Sequence, residues 1–431
     1  MSAHPPALSL YRGATRVLGP ALSTWLSLRA QAGKEDRARL RERYGEASAA
    51  RPDGRLVWLH GASVGELGVV LQVQSELAAR DPALSFLITT GTRTSAEVFA
   101  RRAPDAIHQY APMDRLDAVR SFLAHWRPDL GVFVESEIWP NLAIEAQAAG
   151  VPLALVNARV SEKTLSGWRR AKQSAARVLA AFDPILASDA RTAEGLSALT
   201  GRNVPLVGNL KLAAAPPRVD EHALASLKAE IAERPVWLAA STHIGEEDIL
   251  AGVHERLRMR HANALLILAL RHPERGQDVS NALGRAPRRS KGQRIGDSRI
   301  YIVDTIGELG LFYAAAPVSL VAGSLQPGLR GHNPIEPARL GSAILFGPFV
   351  DSFADLYEAL AQADGAWRVE RPEDVEAAVM HFWADEKGRR ALVEAARRVA
   401  DQGAPALQAT IDALMARLPA PSETQRAHAS A

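Results

Sequence analysis

Short, unbroken apolar runs recur along the chain, and each is followed by a stretch in which apolar residues return every three or four positions. In the first half the runs are Leu56–Leu59, Phe86–Thr89, Leu130–Val134, Leu153–Val156 and Ile185–Ala187. In the second half they are Val236–Ala240, Leu265–Leu270, Ile300–Val303, Val318–Val321 and Ala343–Phe346. Continuous apolarity, rather than alternation of apolar and polar residues, suits strands covered on both faces, as in parallel sheets with helices on each side. The pattern predicts an α/β protein with two doubly wound, Rossmann-like domains. Between the halves, KLAAAPPRVDEH (211–222) is rich in Ala and Pro and lacks periodicity, which places a linker there. A cleft is expected between the domains, facing the carboxyl ends of both sheets.

The amino terminus departs from this rhythm. Leu8, Tyr11, Val17, Leu18, Leu22, Trp25 and Leu26 recur at helical spacing, bordered by arginines. The longest uncharged run, Val17 to Leu28, falls short of the roughly 20 residues that span a bilayer. Residues 1–45 carry eight Arg and Lys against three Asp and Glu, so the chain's net charge of +3 is concentrated there. A helix lying on an anionic lipid surface fits this better than a spanning helix or a cleaved signal. The alternative is a helix packed on its own domain with a solvated basic edge.

Length and composition add bounds. A chain of 431 residues is longer than one core usually serves. With 47% apolar and 23% charged residues it reads as globular, and the absence of cysteine excludes disulfides, thiolate metal sites and a Cys nucleophile. The charge surplus is too small, and too poor in interleaved aromatics, to imply nucleic acid. The tail after Leu418, PAPSETQRAHASA, reads as disordered.

In an open α/β sheet, ligands gather where strands end and helices begin. The first such turn is HGASVGE, where Ser63 has the character of a helix cap and Glu66 lies three positions later. That spacing is a capping box, and Glu66 is either its carboxylate or a general base held at the cleft. FVESEIWPN ends a strand in Glu135 and Glu137, which face a ligand or pair with Arg159 of NARVS. Anion-binding features collect further on: GNLK with Lys211, ASTHIGEE with Ser241 and Thr242 as phosphate or ribose contacts, and LALRHPER with Arg271 and His272. In AGSLQPGLRGHNPIEPARLG, glycines allow close backbone approach, Asn333 reads as a helix cap, Pro334 as first-turn proline and Glu336 as the third capping-box position. The twelve histidines are scattered without ligand spacing and no metal motif occurs, so no tightly bound metal is expected. The basic RRSKGQR (288–294) reads as a solvated loop.

Taken in order, SVGE, ESEIWPN, NARVS, GNLK, STHIGEE, RHPER, IGEL and GHNPIE resemble the 3-deoxy-D-manno-octulosonic acid (Kdo) transferases, across residues 8–415. The resemblance implies a GT-B glycosyltransferase with two Rossmann-like domains and an interdomain cleft. It implies transfer of Kdo from CMP-Kdo to lipid IVA, the tetra-acylated lipid A precursor, in lipopolysaccharide biosynthesis at the cytoplasmic face of the inner membrane. The parts expected are a membrane-associating segment (1–45), an acceptor domain (46–210), the linker (211–222), a CMP-sugar-binding domain (223–418) whose last helix packs back on the first, and a disordered tail (419–431). It assigns Glu66 as catalytic base, with Glu135 and Lys211 stabilising the transition state. CMP contacts fall on Arg271, His272, Ile306, Gly307, Glu308, Asn333, Pro334, Ile335 and Glu336. The sequence departs from the family at Leu270, where proline is usual, at Ile306 for methionine, and at Ala322 and Arg330 for glycines. The expected partners are CMP-Kdo, lipid IVA and an anionic membrane surface, with no cofactor and no nucleic acid. The expected mechanism is inverting and metal-independent: Glu66 removes the acceptor's proton while Lys211, Arg271 and helix N-termini receive the leaving phosphate. The competing readings are another GT-B enzyme, such as a UDP-sugar lipid glycosyltransferase or a nucleotide-sugar epimerase, and a non-catalytic nucleic-acid-binding protein.

Overall fold

A computed structural model describes residues 4–103, 106–213, 217 and 219–420. Two compact units emerge, one formed by residues up to Lys211 together with Gly403 onward, the other by Leu212–Gln402. Part of the expected linker and residues 421–431 of the expected disordered tail lie outside the described residues.

The first unit is built on a six-stranded sheet of β1 (Leu56–His60), β2 (Ser85–Thr90), β3 (Ile107–Tyr110), β4 (Leu130–Val134), β5 (Leu153–Ala158) and β6 (Phe182–Ala187). Its order is β3-β2-β1-β4-β5-β6, and every pairing is parallel. All five residues of β1 are buried, as continuous apolarity requires when helices cover both faces. Trp58 at its centre registers with Leu87 on one side and Gly131 on the other, and its ring meets Phe133 edge-on at 4.9 Å. The second unit repeats the plan with β7 (Val236–Thr242), β8 (Leu265–Leu270), β9 (Ile300–Val303), β10 (Val318–Val321), β11 (Ala343–Phe346) and β12 (Trp367–Arg368), in the order β12-β11-β10-β7-β8-β9.

Two strands lack an apolar run in the sequence. β3, with two half-exposed residues, and β12, with both residues exposed, are sheet edges, where one side has no neighbour and burial imposes no pattern. The order reverses between β1 and β4 in the first sheet and between β7 and β10 in the second, so the loops leaving those strands are where an α/β sheet presents a binding crevice.

The N-terminal stripe is not one helix. Helix Pro6–Val17 stops at Leu18 and a second, Gly19–Gln31, follows. The stripe also divides in destination: Leu8 and Leu26 are buried, and Tyr11 donates its hydroxyl to Asp114, so part of it packs on the first unit. Leu10, Val17, Leu18, Trp25 and Leu28 remain exposed. No helix among the described residues is long and apolar enough to cross a membrane. At the other end of the chain, helix Gly403–Met415 belongs to the first unit, where Asp412 pairs with Arg80 at 2.9 Å.

Gly45, at the end of the short helix Leu40–Tyr44, has φ of +81°, and a Cβ there would lie 1.9 Å from the Ala118 carbonyl oxygen. Gly45→Ala is expected to destabilise the first unit by about 2 kcal/mol or more, a fall in melting temperature of roughly 5 °C by calorimetry.

Candidate active site

The first strand-end cluster forms around β1 and β4. Helix Val64–Arg80 begins just beyond β1, and Ser63 caps it by accepting a hydrogen bond from the Glu66 amide. The Glu66 carboxylate turns back to accept the Ala62 amide at 2.7 Å and the Ser63 hydroxyl at 2.8 Å. The capping arrangement is therefore present, and the same carboxylate is buried, 8% exposed, at the point where the sheet order reverses. Burial pushes its pKa up to about 7; the nearby Glu135 and Glu137 push the same way, while Ser63 and Ala62 oppose them by bonding to the charged form. A carboxyl poised near neutrality and held by two donors is suited to taking a proton from a substrate hydroxyl.

β4 ends beside it at Glu135, which occupies the left-handed region with φ of +63°, a costly backbone state for a non-glycine residue. Its carboxylate pairs with Lys211 at 2.6 Å. Lys211 is delivered by a local device: Asn157, itself at φ +50°, accepts the Leu210 amide on its side-chain oxygen, and Asn209 accepts the amide of Lys211. Thus NARVS and GNLK act together to set one ammonium against one carboxylate. Glu137 accepts the Trp139 indole N–H, and burial raises its pKa.

In the second unit, three of the quoted motifs converge on the end of β7. Glu246, wholly buried in the first turn of helix Glu246–Arg258, accepts the amides of Gly323 (2.9 and 2.8 Å), Leu325 (3.3 Å) and His243 (3.1 Å). The loop after β10 is thereby pinned to the loop after β7. His243 and His332 stack with their planes 3° apart and share a hydrogen bond between their Nε2 atoms at 3.0 Å, and the His272 ring meets His243 edge-on. Burial lowers both pKa values, that of His332 to about 4, so the pair is neutral at pH 7 with one ring donating to the other. Gly323, at φ +70°, leaves no room for a side chain: a Cβ would lie 2.9 Å from the His332 ring. By spacing alone these histidines read as scattered, because the three are far apart along the chain and meet only through the fold. Among the described residues no group of three or more His, Asp or Glu is arranged to hold a metal ion.

The remaining candidates divide. Ser241 stands half-buried with φ of +62°, whereas Thr242 is fully buried and turns its hydroxyl to the Ala269 carbonyl. Arg271 and His272 are exposed at the end of β8, and Arg275 of the same motif pairs with Glu247 at 2.7 Å. Ile306 is 87% exposed, Gly307 has φ of +88°, and Glu308 is held by Arg289 at 2.7 Å. The basic loop expected to be solvated is in fact anchored, because Arg288 also pairs with the buried Asp304 at 2.7 Å. Helix Ile335–Leu340 starts one residue later than the sequence indicates: Asn333 accepts the Ile335 amide, Pro334 precedes the first turn, and Glu336 lies within it. Arg330 sits at φ +67°, which explains why this position favours glycine.

Two stability measurements check these assignments. The Glu66 carboxyl keeps its proton to about pH 7 when folded but loses it near pH 4.3 when unfolded, so its contribution to stability falls as pH rises between those values. Glu66→Gln, which does not titrate, is therefore expected to match the wild type near pH 5 and to exceed it at pH 8 by on the order of 2 kcal/mol in denaturant unfolding. Glu246→Gln places an N–H donor against two of the three amide donors, whichever oxygen it replaces, and is expected to destabilise the second unit by about 2 kcal/mol or more by the same measure.

Comparison with known proteins identifies the family and the fold. The family model described as 3-Deoxy-D-manno-octulosonic-acid transferase (kdotransferase) matches residues 38–214. A probable mitochondrial 3-deoxy-D-manno-octulosonic acid transferase of Arabidopsis thaliana is 34% identical over 82% of this chain and 83% of its own length. The 3-deoxy-D-manno-octulosonic acid transferase of Bordetella pertussis is 32% identical over 94% of this chain and 98% of its own. Among solved structures, UDP-GlcNAc 2-epimerase of Neisseria meningitidis superposes with a TM-score of 0.53 at 12% identity, covering 84% of this chain and 100% of that one. MurG of Acinetobacter baumannii gives 0.52 at 12%, covering 84% and 99%. The structural likeness is one of fold, the GT-B glycosyltransferase fold with its two Rossmann-like domains. On the sequence relationship, the chain belongs to the 3-deoxy-D-manno-octulosonic acid transferase family and is a glycosyltransferase.

Proposed function

We propose that this enzyme transfers Kdo from CMP-Kdo to a hydroxyl of lipid IVA with inversion at the sugar carbon, in lipopolysaccharide biosynthesis. The observation that carries the reading is the buried Glu66 carboxyl, raised to about 7 and held by Ala62 and Ser63 at the reversal point of the first sheet. In this reading Glu66 takes the proton of the attacking primary alcohol as its oxygen bonds to the anomeric carbon of Kdo. The bond from that carbon to the CMP phosphate breaks with its electron pair on the leaving oxygen, so negative charge grows on CMP. Lys211 and Arg271 supply positive charge to it, and the loop ends of the second unit hold the nucleotide, without a bound metal. Glu135 fixes Lys211 and balances its charge until the phosphate arrives.

The membrane side of the reading rests on the N-terminal helices. Leu10, Val17, Leu18, Trp25 and Leu28 are exposed with Arg16 among them, an apolar and basic face suited to the interface of an anionic bilayer, while Arg12 and Arg29 are paired with Glu145 and Glu35. We place the enzyme on the cytoplasmic face of the inner membrane, where an acylated, phosphorylated acceptor would be presented to it.

Incubation of the full chain with CMP-Kdo, generated in situ, and lipid IVA is expected to yield product heavier by whole Kdo units on mass spectrometry, with the anomeric configuration opposite to the donor's by NMR. CMP, and not UDP, is expected to raise the melting temperature. Protection by UDP alone, or no Kdo adduct, overturns the reading. Glu66→Gln is expected to lower turnover at least about a hundredfold, and wild-type turnover to fall as pH drops below about 7.

A further inference from the structure

One arginine outside all of the motifs ties together the strand ends around Glu66. Arg43 lies in the short helix Leu40–Tyr44 and is buried, with a side chain 9% exposed against 6% for its partner Glu35. Its guanidinium meets Glu35 through Nε (3.2 Å) and Nη2 (3.0 Å), donates through Nη1 to the Ala111 carbonyl just past β3 (3.1 Å), and donates through Nη2 to the Gly91 carbonyl just past β2. It also covers the Tyr110 ring at 4.8 Å, which holds the plane of the fork. Gly91 in turn donates its amide to the Ala62 carbonyl at 3.2 Å, and Ser95 adds its hydroxyl to the same oxygen at 3.3 Å. Ala62 is the residue whose amide holds Oε2 of Glu66. The contact between these loops is close enough that a Cβ on Gly91 would lie 3.1 Å from that of Ala62.

A buried ion pair contributes little net stability compared with apolar side chains of the same size, so stability alone is a weak reason for this one. Its geometry accounts for it better. The fork engages two strand-end carbonyls at once, which a lysine's single ammonium does not reproduce.

We infer that Arg43, oriented by Glu35, is a positioning residue for the Glu66 base: by holding the Gly91 carbonyl it sets the turn on which Ala62 leans, and so keeps the Ala62 amide on the reacting carboxylate. The inference rests on the reading of Glu66 as the base. The charged and titratable groups that face Glu66 are Glu135 and Glu137 at the end of β4, with Lys211 balancing Glu135; the other two neighbours are the Ser63 hydroxyl and the Ala62 amide.

The test uses the full chain with CMP-Kdo and lipid IVA, comparing Arg43→Lys and Glu35→Gln with the wild type. Loosening Ala62 removes a donor that favours the charged carboxylate. The acid limb of the kcat profile should therefore move to higher pH, with kcat down roughly tenfold and KM for CMP-Kdo unchanged. Glu35→Gln keeps Arg43 in place but removes the charge that orients its fork, so it decides the matter even where Arg43→Lys does not fold. A limb that stays at the wild-type pH in folded Glu35→Gln protein overturns the positioning role. Full transfer by Glu66→Gln overturns the base reading and the inference with it, whereas inactive Glu66→Gln combined with an unmoved limb overturns the inference alone.

Discussion

A parallel sheet covered on both faces has one place where polar groups can be both exposed to a ligand and held by backbone: the line of its carboxyl ends. Everything chemical in this protein depends on that constraint. The amide of Ala62, bonded to the carboxylate of Glu66, is its most consequential product. That bond serves the helix, because it satisfies an amide the strand no longer pairs, and it serves the chemistry, because it aims a buried carboxylate whose desolvation raises its affinity for a proton. The capping contacts leave the carboxylate in a state suited to the base role proposed above, so the two readings of this residue do not compete.

The second sheet meets the same constraint with a different device. Its loop after β10 carries glycines in left-handed conformations, and such a loop has no shape of its own. Glu246 gives it one by accepting amides from both sides of the reversal point, and the stacked pair of His243 and His332 closes the same junction with neutral rings. The result is a junction of two loops whose amides and imidazoles satisfy one another, with its carboxylate turned inward. Glu246 is thus a structural acid, saturated by amide donors. Glu66 is also buried but accepts only two donors, which leaves its carboxylate capacity for a substrate proton.

Legibility followed burial. The β1 run, LVWLH, is apolar because helices cover both its faces, so its place was readable; the β3 segment, IHQY, lies at an edge and was not. Glu66 and Glu135 stand at strand ends that the apolar runs mark, Lys211 lies in a short helical turn (Leu210–Ala213) beyond them, and all three were visible as candidates. Their relations were not. The pairing of Glu135 with Lys211 depends on Asn157 catching the backbone before Lys211, a contact made across 53 residues. Thr242 carried the right chemistry for a ligand contact, but the strand continued two residues further than its apolar run and turned that hydroxyl inward.

What the sequence determined alone is the class of fold, the strand-to-helix turns and the types of side chain placed at them, because these follow from local periodicity, capping and the need to bury apolar runs. Family membership also belongs to it, through motifs kept in order. Only the tertiary structure decided which of those side chains meet: the anchoring of Arg288 and Arg289, the gathering of His243, His272 and His332, and the line of contacts from Arg43 through Gly91 and Ala62 to Glu66. Such meetings join residues remote in the chain through sheet order and loop direction, and no local pattern of residues encodes a distance across a sheet.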